Sequence, residues 1–324
     1  MKVLVTGGAG FIGSNFIRQW MAEHPDDEIV NLDALTYAGR IETTADFSGN
    51  PKYSFVHGSI CDEKLVETAM RDCELVVHFA AESHVDRSIA SSKEFISTNV
   101  EGTRTLLEAA RRAAKPPRFH HISTDEVFGS LSASDPKFNE ETPYDPRSPY
   151  SASKAASDHL VRAYFHTHNL PVTISNCSNN YGPFQFPEKL IPRFILRALN
   201  GQTLPLYGKG ENIRDWIYVE DHVKGIMSII AKGTLGETYC LGGNNEMTNI
   251  DIAKHLLQAL GKDESIIEYV DDRLGHDFRY SIDSSRAAKE LGWKAETSFE
   301  KGLADTIAWY KANEAWWKPL LREI

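Results

Sequence analysis

Cysteine is scarce: Cys61, Cys73, Cys177 and Cys240 are scattered over 324 residues with no C-x-x-C spacing. That excludes a disulfide framework or a cysteine zinc site and fits buried thiols in a reducing compartment. Long apolar runs are missing. Nothing approaches the roughly 20 residues needed to cross a bilayer, and the opening MKVLVTGG meets glycine too soon for a signal-peptide core. A cytoplasmic location is expected, with no membrane partner. Basic charge is also in deficit, with 35 Lys and Arg against 45 Asp and Glu, a formal net charge of −10. A general nucleic-acid binder would show a basic face, whereas a small anionic ligand needs only a few local cations. Repeats, low-complexity tracts and linker-like stretches are absent. The histidines do not pair into a metal site: His166 and His168 are two apart on a helix pattern, and His120 and His121 alternate across a strand. No metal is expected. What remains, at 41% hydrophobic and 25% charged, is an ordinary globular chain long enough for one large domain or two coupled lobes.

Through the first half, short β-branched runs alternate with amphipathic stretches. Strands are expected at 2–6, 28–32, 53–57, 75–79, 119–123 and 172–176, and helices at 13–23, 63–71, 98–113 and 149–168. Such alternation implies an α/β fold with a doubly wound parallel sheet covered on both faces. The second half is richer in turns, with further helical patterns near 216–232, 249–260 and 298–314. Trp309, Trp316 and Trp317 accompany Phe299, Leu303 and Ile307 at helical spacing, which reads as a helix packing on the body.

The first strand runs into TGGAGFIGSN, with Gly7, Gly10 and Gly13 spaced G-x-x-G-x-x-G before a helix. Glycine here serves a tight turn, close approach of a diphosphate and helix–strand packing, and the helix start offers unpaired N–H groups. Asp33 ends the second strand, where a carboxylate accepts from ribose hydroxyls and repels a 2′-phosphate, favouring NAD over NADP. Asp62, after the third strand, either reaches the adenine or caps a helix.

Tyr150 and Lys154 form Y-x-x-x-K at a helix start, one turn apart on one face. A tyrosine is a poor base at neutral pH unless a nearby ammonium and a nicotinamide cation favour phenolate. In HHISTDEVFGS, Asp125 and Glu126 stand side by side after a strand and one hydroxyl, Thr124. The pair reads either as a solvated turn or as an acid and a base whose mutual repulsion keeps one proton bound.

The stretches TGGAGFIGSN, LDALTYAG, HFAAESHVDRSI, STDEVFG, SPYSASKAASD, NCSNNYGP, EKLIPRFI, YGKGENIRDWIYVEDH and GHDFRYSID resemble the extended short-chain dehydrogenase/reductase superfamily. Within it they are most similar to the dTDP-glucose 4,6-dehydratase family, with the TDE triplet as the specific element. The resemblance implies a Rossmann-type NAD-binding domain over 1–176 plus roughly 216–242, and a sugar-nucleotide lobe, smaller and mixed α/β, over 177–215 and 243–324. It implies NAD-dependent oxidation at C4, loss of water across C5–C6 and hydride return to C6. Tyr150 would take the O4 proton, Thr124 would hydrogen-bond O4, and Lys154 would hold the ribose. Glu126 would take the C5 proton while Asp125 protonates the leaving hydroxyl. Phe11, Ile12, Ala80, Ala81, Ser83 and Asn99 join the glycines, Asp33, Tyr150 and Lys154 as cofactor contacts, with Glu82 near the sugar. Substrate contacts are implied for Ser83, Asn179, Lys189, Leu190 and Arg214, for Pro205, Tyr207 and Asn249 around the base, and for Arg273 and His276. Leu274 and Phe128 stand where the family usually has proline and tyrosine. A homodimer is implied through helices matching 98–113 and 149–168, although burial within one chain explains their small residues equally well. The competing readings are another nucleotide-sugar epimerase or decarboxylase, a 4,6-dehydratase for a different base, and a catalytically silent NAD-binding scaffold.

Overall fold

The computed structural model describes residues 1–272 and 276–322. Arg273 and Leu274 therefore lie outside the described residues. Seven strands, β1 (Lys2–Thr6), β2 (Glu28–Asp33), β3 (Tyr53–His57), β4 (Leu75–His78), β5 (Arg118–Thr124), β6 (Val172–Cys177) and β10 (Thr238–Leu241), form one sheet in the order β10-β6-β5-β4-β1-β2-β3. Every pairing in it is parallel. This is the doubly wound, Rossmann-type sheet. Buried on both faces, its central strands are nearly continuous apolar runs: Val3, Leu4 and Val5 are fully buried, as are Val76 and Val77. Each such side chain contributes roughly 1.5–3 kcal/mol by leaving water. The strand order reverses between β1 and β4, and their carboxyl ends open a crevice at this switch point.

The second lobe is built on two small sheets. Strands β7 (Asn179–Tyr181), β9 (Ile213–Tyr218) and β11 (Glu246–Thr248) form one, and β8 (Leu204–Tyr207) with β12 (Ile267–Val270) the other. Helices Leu190–Leu199, Asn249–Leu260 and Phe299–Ala312 bury Ile195, Leu256 and Leu303 in the same core. Trp316 packs near Phe184 and donates to Thr43 Oγ1 at 3.1 Å, tying the C-terminal segment to the first lobe.

Two of the expected helices differ from the sequence reading. The expected helix at 216–232 begins only at Val219, because Trp216, Ile217 and Tyr218 pair with Asn179, Asn180 and Tyr181 as strand. β-Branched and aromatic residues favour that choice once a partner strand is present. The expected helix at 98–113 is a π-helical segment, Ile96–Gly102, running into an α-helix, Thr103–Arg112. The helix Val219–Lys232 and the later segment carrying Ala287, Leu291 and Trp293 both pack on the core of the large sheet.

The helix Pro149–His168 carries Tyr150 and Lys154, and its start is locally specified. Ser148 Oγ accepts from Ser151 N at 3.0 Å while Ser151 Oγ accepts from Ser148 N at 3.0 Å, a reciprocal cap with Pro149 in the first turn. Ser148→Ala is expected to lower stability by about 1 kcal/mol, read as a lower urea midpoint; an unmoved midpoint would show that the cap does not hold this end.

Candidate active site

A cavity of about 350 Å³ lies over the carboxyl ends of β1, β4, β5 and β6. At one end is the glycine turn. Gly7 has φ +74°, and a Cβ on it would lie 2.6 Å from Ala80 N; one on Gly13 would lie 2.4 Å from Gly7 O. Both positions therefore exclude any side chain. Gly10 caps the helix Phe11–Glu23 without a side-chain hydrogen bond, and a Cβ there would meet only Gly7 O at 3.3 Å. Gly10, Phe11, Ile12 and Gly13 line the cavity, so the first-turn amides face an open cradle suited to a diphosphate. Asp33 is buried beside the glycine turn. Its Oδ2 accepts from Ala9 N at 2.9 Å and its Oδ1 from Leu35 N at 2.8 Å. Burial pushes its pKa up, and these two amides pull it back. The carboxylate is thus pinned in place with lone pairs left for a diol.

At the other end the strand β5 stops and the chain enters a 3₁₀ turn, Asp125–Phe128. Thr124 Oγ1 accepts from Glu126 N at 3.3 Å and lies 3.4 Å from Asp125 Oδ1. Asp125 is 2% exposed, and its pKa is raised well above the ordinary carboxyl value. Burial is the main cause, followed by the charges of Glu126 and Asp215, with Arg214 and the Thr124 hydroxyl opposing. Glu126 is half-buried and lines the same cavity. Tyr150 is 8% exposed; burial, then Glu126 and Cys177, push its phenol well above its usual range against the Thr124 hydroxyl. The sequence reading expected Lys154 together with a nicotinamide cation to favour phenolate; among the protein's own groups, burial and Glu126 act against it. Lys154 Nζ donates to Ile122 O at 2.7 Å, and burial pulls its pKa down to about 8.

Thr124, Asp125, Glu126, Tyr150 and Lys154 share this cavity with Ala80, Ala81, Ser83, Asn179 and Lys189. Lys189 Nζ donates to Ser83 O at 3.1 Å, closing one wall. Asn99 sits behind the wall: it bonds both the N–H and C=O of Glu82 and reaches Ser153 Oγ at 2.8 Å. Asp62 accepts from Leu65 N at 3.0 Å and caps the helix Glu63–Met70, outside the lining. Leu190, at the start of its helix, is also outside it. Pro205, Tyr207, Arg214, Asn249 and His276 belong to the second lobe and do not line this cavity. There Tyr207 and His276 meet edge to face at 6.2 Å, and Asn249 N donates to Asn212 O at 3.0 Å. Arg214 donates to Asp277 O at 3.0 Å, and its guanidinium lies 4.2 Å over the Tyr280 ring.

Sequence reasoning missed Tyr37, Gln185 and Glu188, which line the cavity. The Arg87 guanidinium lies 3.8 Å over the Tyr37 ring and 3.6 Å from the Glu188 carboxylate. The quoted stretches LDALTYAG and EKLIPRFI contain Tyr37 and Glu188, the signal that could have found them. Asp125 Oδ2, Asn179 Oδ1 and Gln185 Oε1 are buried here without a hydrogen-bond partner. Buried polar atoms are rarely left unpaired, so this wall is made to meet a polar ligand. The glycine cradle, the helix start and the anchored Asp33 together fit a dinucleotide with an adenosine diol.

The chain matches the family model described as GDP-mannose 4,6 dehydratase over residues 4–306. It is 50% identical to a dTDP-glucose 4,6-dehydratase of Shigella flexneri, over 98% of this chain and 94% of the relative. A dTDP-glucose 4,6-dehydratase of Mycobacterium tuberculosis is also 50% identical, over 99% of this chain and 96% of that one. Among solved structures, the dTDP-glucose 4,6-dehydratase DesIV from Streptomyces venezuelae, determined with NAD bound, superposes with a TM-score of 0.96 at 50% identity, covering 99% of this chain and all of that one. With the switch-point cradle at one end of the cavity and the Thr124–Glu126 turn at the other, the chain belongs to the dTDP-glucose 4,6-dehydratase family of NAD-dependent hydro-lyases.

Proposed function

We propose that this site converts dTDP-glucose to dTDP-4-keto-6-deoxy-glucose, with the five residues at the β5 end dividing the proton transfers among them. The observation that carries this reading is the contrast in surroundings of adjacent residues: Asp125, buried and with its pKa raised by that burial, beside a half-buried Glu126 on the same cavity. Bound NAD supplies the hydride acceptor for C4, the donor for C6 and, with its nicotinamide cation, part of the field that frees the Tyr150 proton. Tyr150 takes the proton of O4, and Thr124, adjacent to both Tyr150 and the acid pair, hydrogen-bonds that oxygen. Lys154 binds the ribose and adds positive charge beneath. A ketone at C4 makes the C5 proton acidic, and Glu126 removes it. Asp125 delivers its proton to the C6 hydroxyl, which leaves as water, and C5 is reprotonated when hydride returns to C6. General acid and base groups of this kind contribute about 10²–10⁴-fold each.

Lys189 and Asn179 are the side chains on the cavity wall for the diphosphate and sugar. Arg214, Tyr207, Pro205, Asn249 and His276 are assigned to the nucleoside end, with Arg273 and Leu190 carried by the resemblance. The protein is proposed to act in the cytoplasm, which its four free thiols suit. It is proposed to pair as a homodimer along the helix Pro149–His168, where Ala152, His159 and Ala163 are exposed and Ile89 and Ile96 expose about half their surface nearby.

The two carboxyls are separated by an isotope experiment. Glu126→Gln is expected to abolish both water loss and solvent-deuterium entry at C5. Asp125→Asn is expected to lower water loss about 10²–10³-fold while deuterium still enters C5 of unconverted sugar. Mass spectrometry of dTDP-glucose in heavy water reads both, and full water loss by either variant would sink the assignment. Because burial raises the Asp125 pKa and favours its acid form, elimination should fall as that proton is lost toward higher pH, and Asp125→Asn should lack this limb. At the far end, Asp33→Ser is expected to weaken NAD retention and to improve NADP binding relative to NAD, measured by titration of the cofactor-stripped protein; unchanged preference would remove Asp33 from the diol site.

A further inference from the structure

Beneath the reacting groups, away from the cavity, lies a buried polar set that the scheme above does not use. Asp158, one helical turn after Lys154, is fully buried. Its Oδ2 accepts from Ser123 Oγ at 2.8 Å and Tyr144 OH at 2.9 Å, with Asn176 Nδ2 at 3.5 Å, and its Oδ1 lies 3.1 Å from His121 Nε2. Tyr144 in turn accepts from Arg162 at 2.9 Å. A lone carboxylate so deep would bind a proton rather than stay charged. Here burial does push its pKa up, but the His121 hydrogen bond, the Lys154 charge and the Ser123 hydroxyl win and leave it below the ordinary value.

The cation that needs such a partner is adjacent. Lys154 is 4% exposed, its Nζ 3.5 Å from His121 Nε2. Several groups surround it. On its own helix Asp158 raises its pKa, with Tyr150 one turn before and Arg162 two turns after; β6 contributes Cys177, and His121 of β5 and His78 of β4 feel the Lys154 charge, while Asp125 and Glu126 face Tyr150 from the cavity side. Burial holds Tyr150 and Cys177 protonated and neutral, and it holds His78 and His121 neutral, His121 at about 4. Among these groups Asp158 is the anion beside Lys154, and neutral His121 lies between the two, its Nε2 3.1 Å from Asp158 Oδ1 and 3.5 Å from Lys154 Nζ.

We propose that Asp158 is the buried counter-ion that keeps Lys154 cationic during turnover, a positioning residue held by Ser123, Tyr144 and His121. The proposal rests on the reading of Lys154 given above. The motif that matters is then Y-x-x-x-K-x-x-x-D, one face of three successive turns.

The sign of the effect is set by which form Asp158 favours. An anion raises the Lys154 pKa, so losing it lets burial pull that pKa further down. The alkaline limb on which Lys154 sheds its proton should then move to lower pH. Asp158→Asn preserves shape and can still accept from Ser123 and Tyr144. Its kcat/KM profile is expected to show that limb lowered by about one pH unit or more, a tenfold change in the protonation constant, with activity recovering toward acid pH. Lys154→Met runs in parallel. If Lys154→Met stays active, the reading of Lys154 fails, and the counter-ion proposal with it. If Lys154→Met is inactive while folded Asp158→Asn keeps the wild-type limb, the counter-ion proposal alone is overturned. A measurement that does not depend on the variant folding is carbon-13 NMR of lysine Cε in the wild-type protein, with Lys154 assigned by its loss in Lys154→Met. A charged Lys154 at neutral pH is expected, and a neutral one there overturns the proposal.

Discussion

A 2.7 Å hydrogen bond from the Lys154 ammonium to the Ile122 carbonyl joins the two halves of the site. Lys154 comes from a helix and Ile122 from β5, the strand that ends in Thr124, Asp125 and Glu126. That bond fixes the position of Tyr150 relative to the acid pair more closely than helix–sheet packing alone would. Charge-assisted hydrogen bonds are stronger than neutral ones, and this one lies where water does not compete. The polar set behind it, Asp158 with Ser123, Tyr144 and His121, repeats the connection between helix and strand. Helix and strand end therefore move as one body.

The same burial that fixes this geometry sets the proton inventory. Desolvation raises the pKa of Asp125, Tyr150 and Cys177 and lowers that of Lys154 and His121. In each case the neutral form gains. An active site made only of these groups would hold little charge beside that of Lys154. Asp158, which accepts from several donors, is the exception, its pKa held below the ordinary value. Function thus rests on selective relief from desolvation, residue by residue.

Much of the first lobe was legible because its strands are short, apolar on both faces and interrupted by glycine or a helix start, all local signals. β1 and β3 begin and end at the expected residues. The second lobe was not legible in the same way. Its strands run three to six residues and are stabilised by partners far away in sequence, as when Asn179–Tyr181 pairs with Trp216–Tyr218. No window around 216 reveals that partner, so its apolar spacing reads as helix. Among site residues, Gly7, Asp33, Tyr150 and Lys154 carry spacing signals tied to chemistry. Tyr37 and Glu188 do not: in the folded chain Arg87, from another element, covers the ring of one and faces the carboxylate of the other.

The adjacency of Asp125 and Glu126 has a geometric basis in the turn they occupy. Had β5 continued, successive side chains would point to opposite faces of the sheet, and one carboxyl would be lost to the wrong side. A 3₁₀ turn instead sets successive side chains about 120° apart. Both can then reach one cavity while meeting different surroundings, Asp125 inward at 2% exposure and Glu126 half-buried beside it. The different surroundings matter as much as the closeness. Two carboxyls in one environment would share a proton without assigned roles, whereas here desolvation decides that Asp125 keeps it. The end of a parallel strand, where the backbone must turn and the sheet no longer dictates side-chain direction, is the place in this fold where an acid and a base can stand next to each other in sequence.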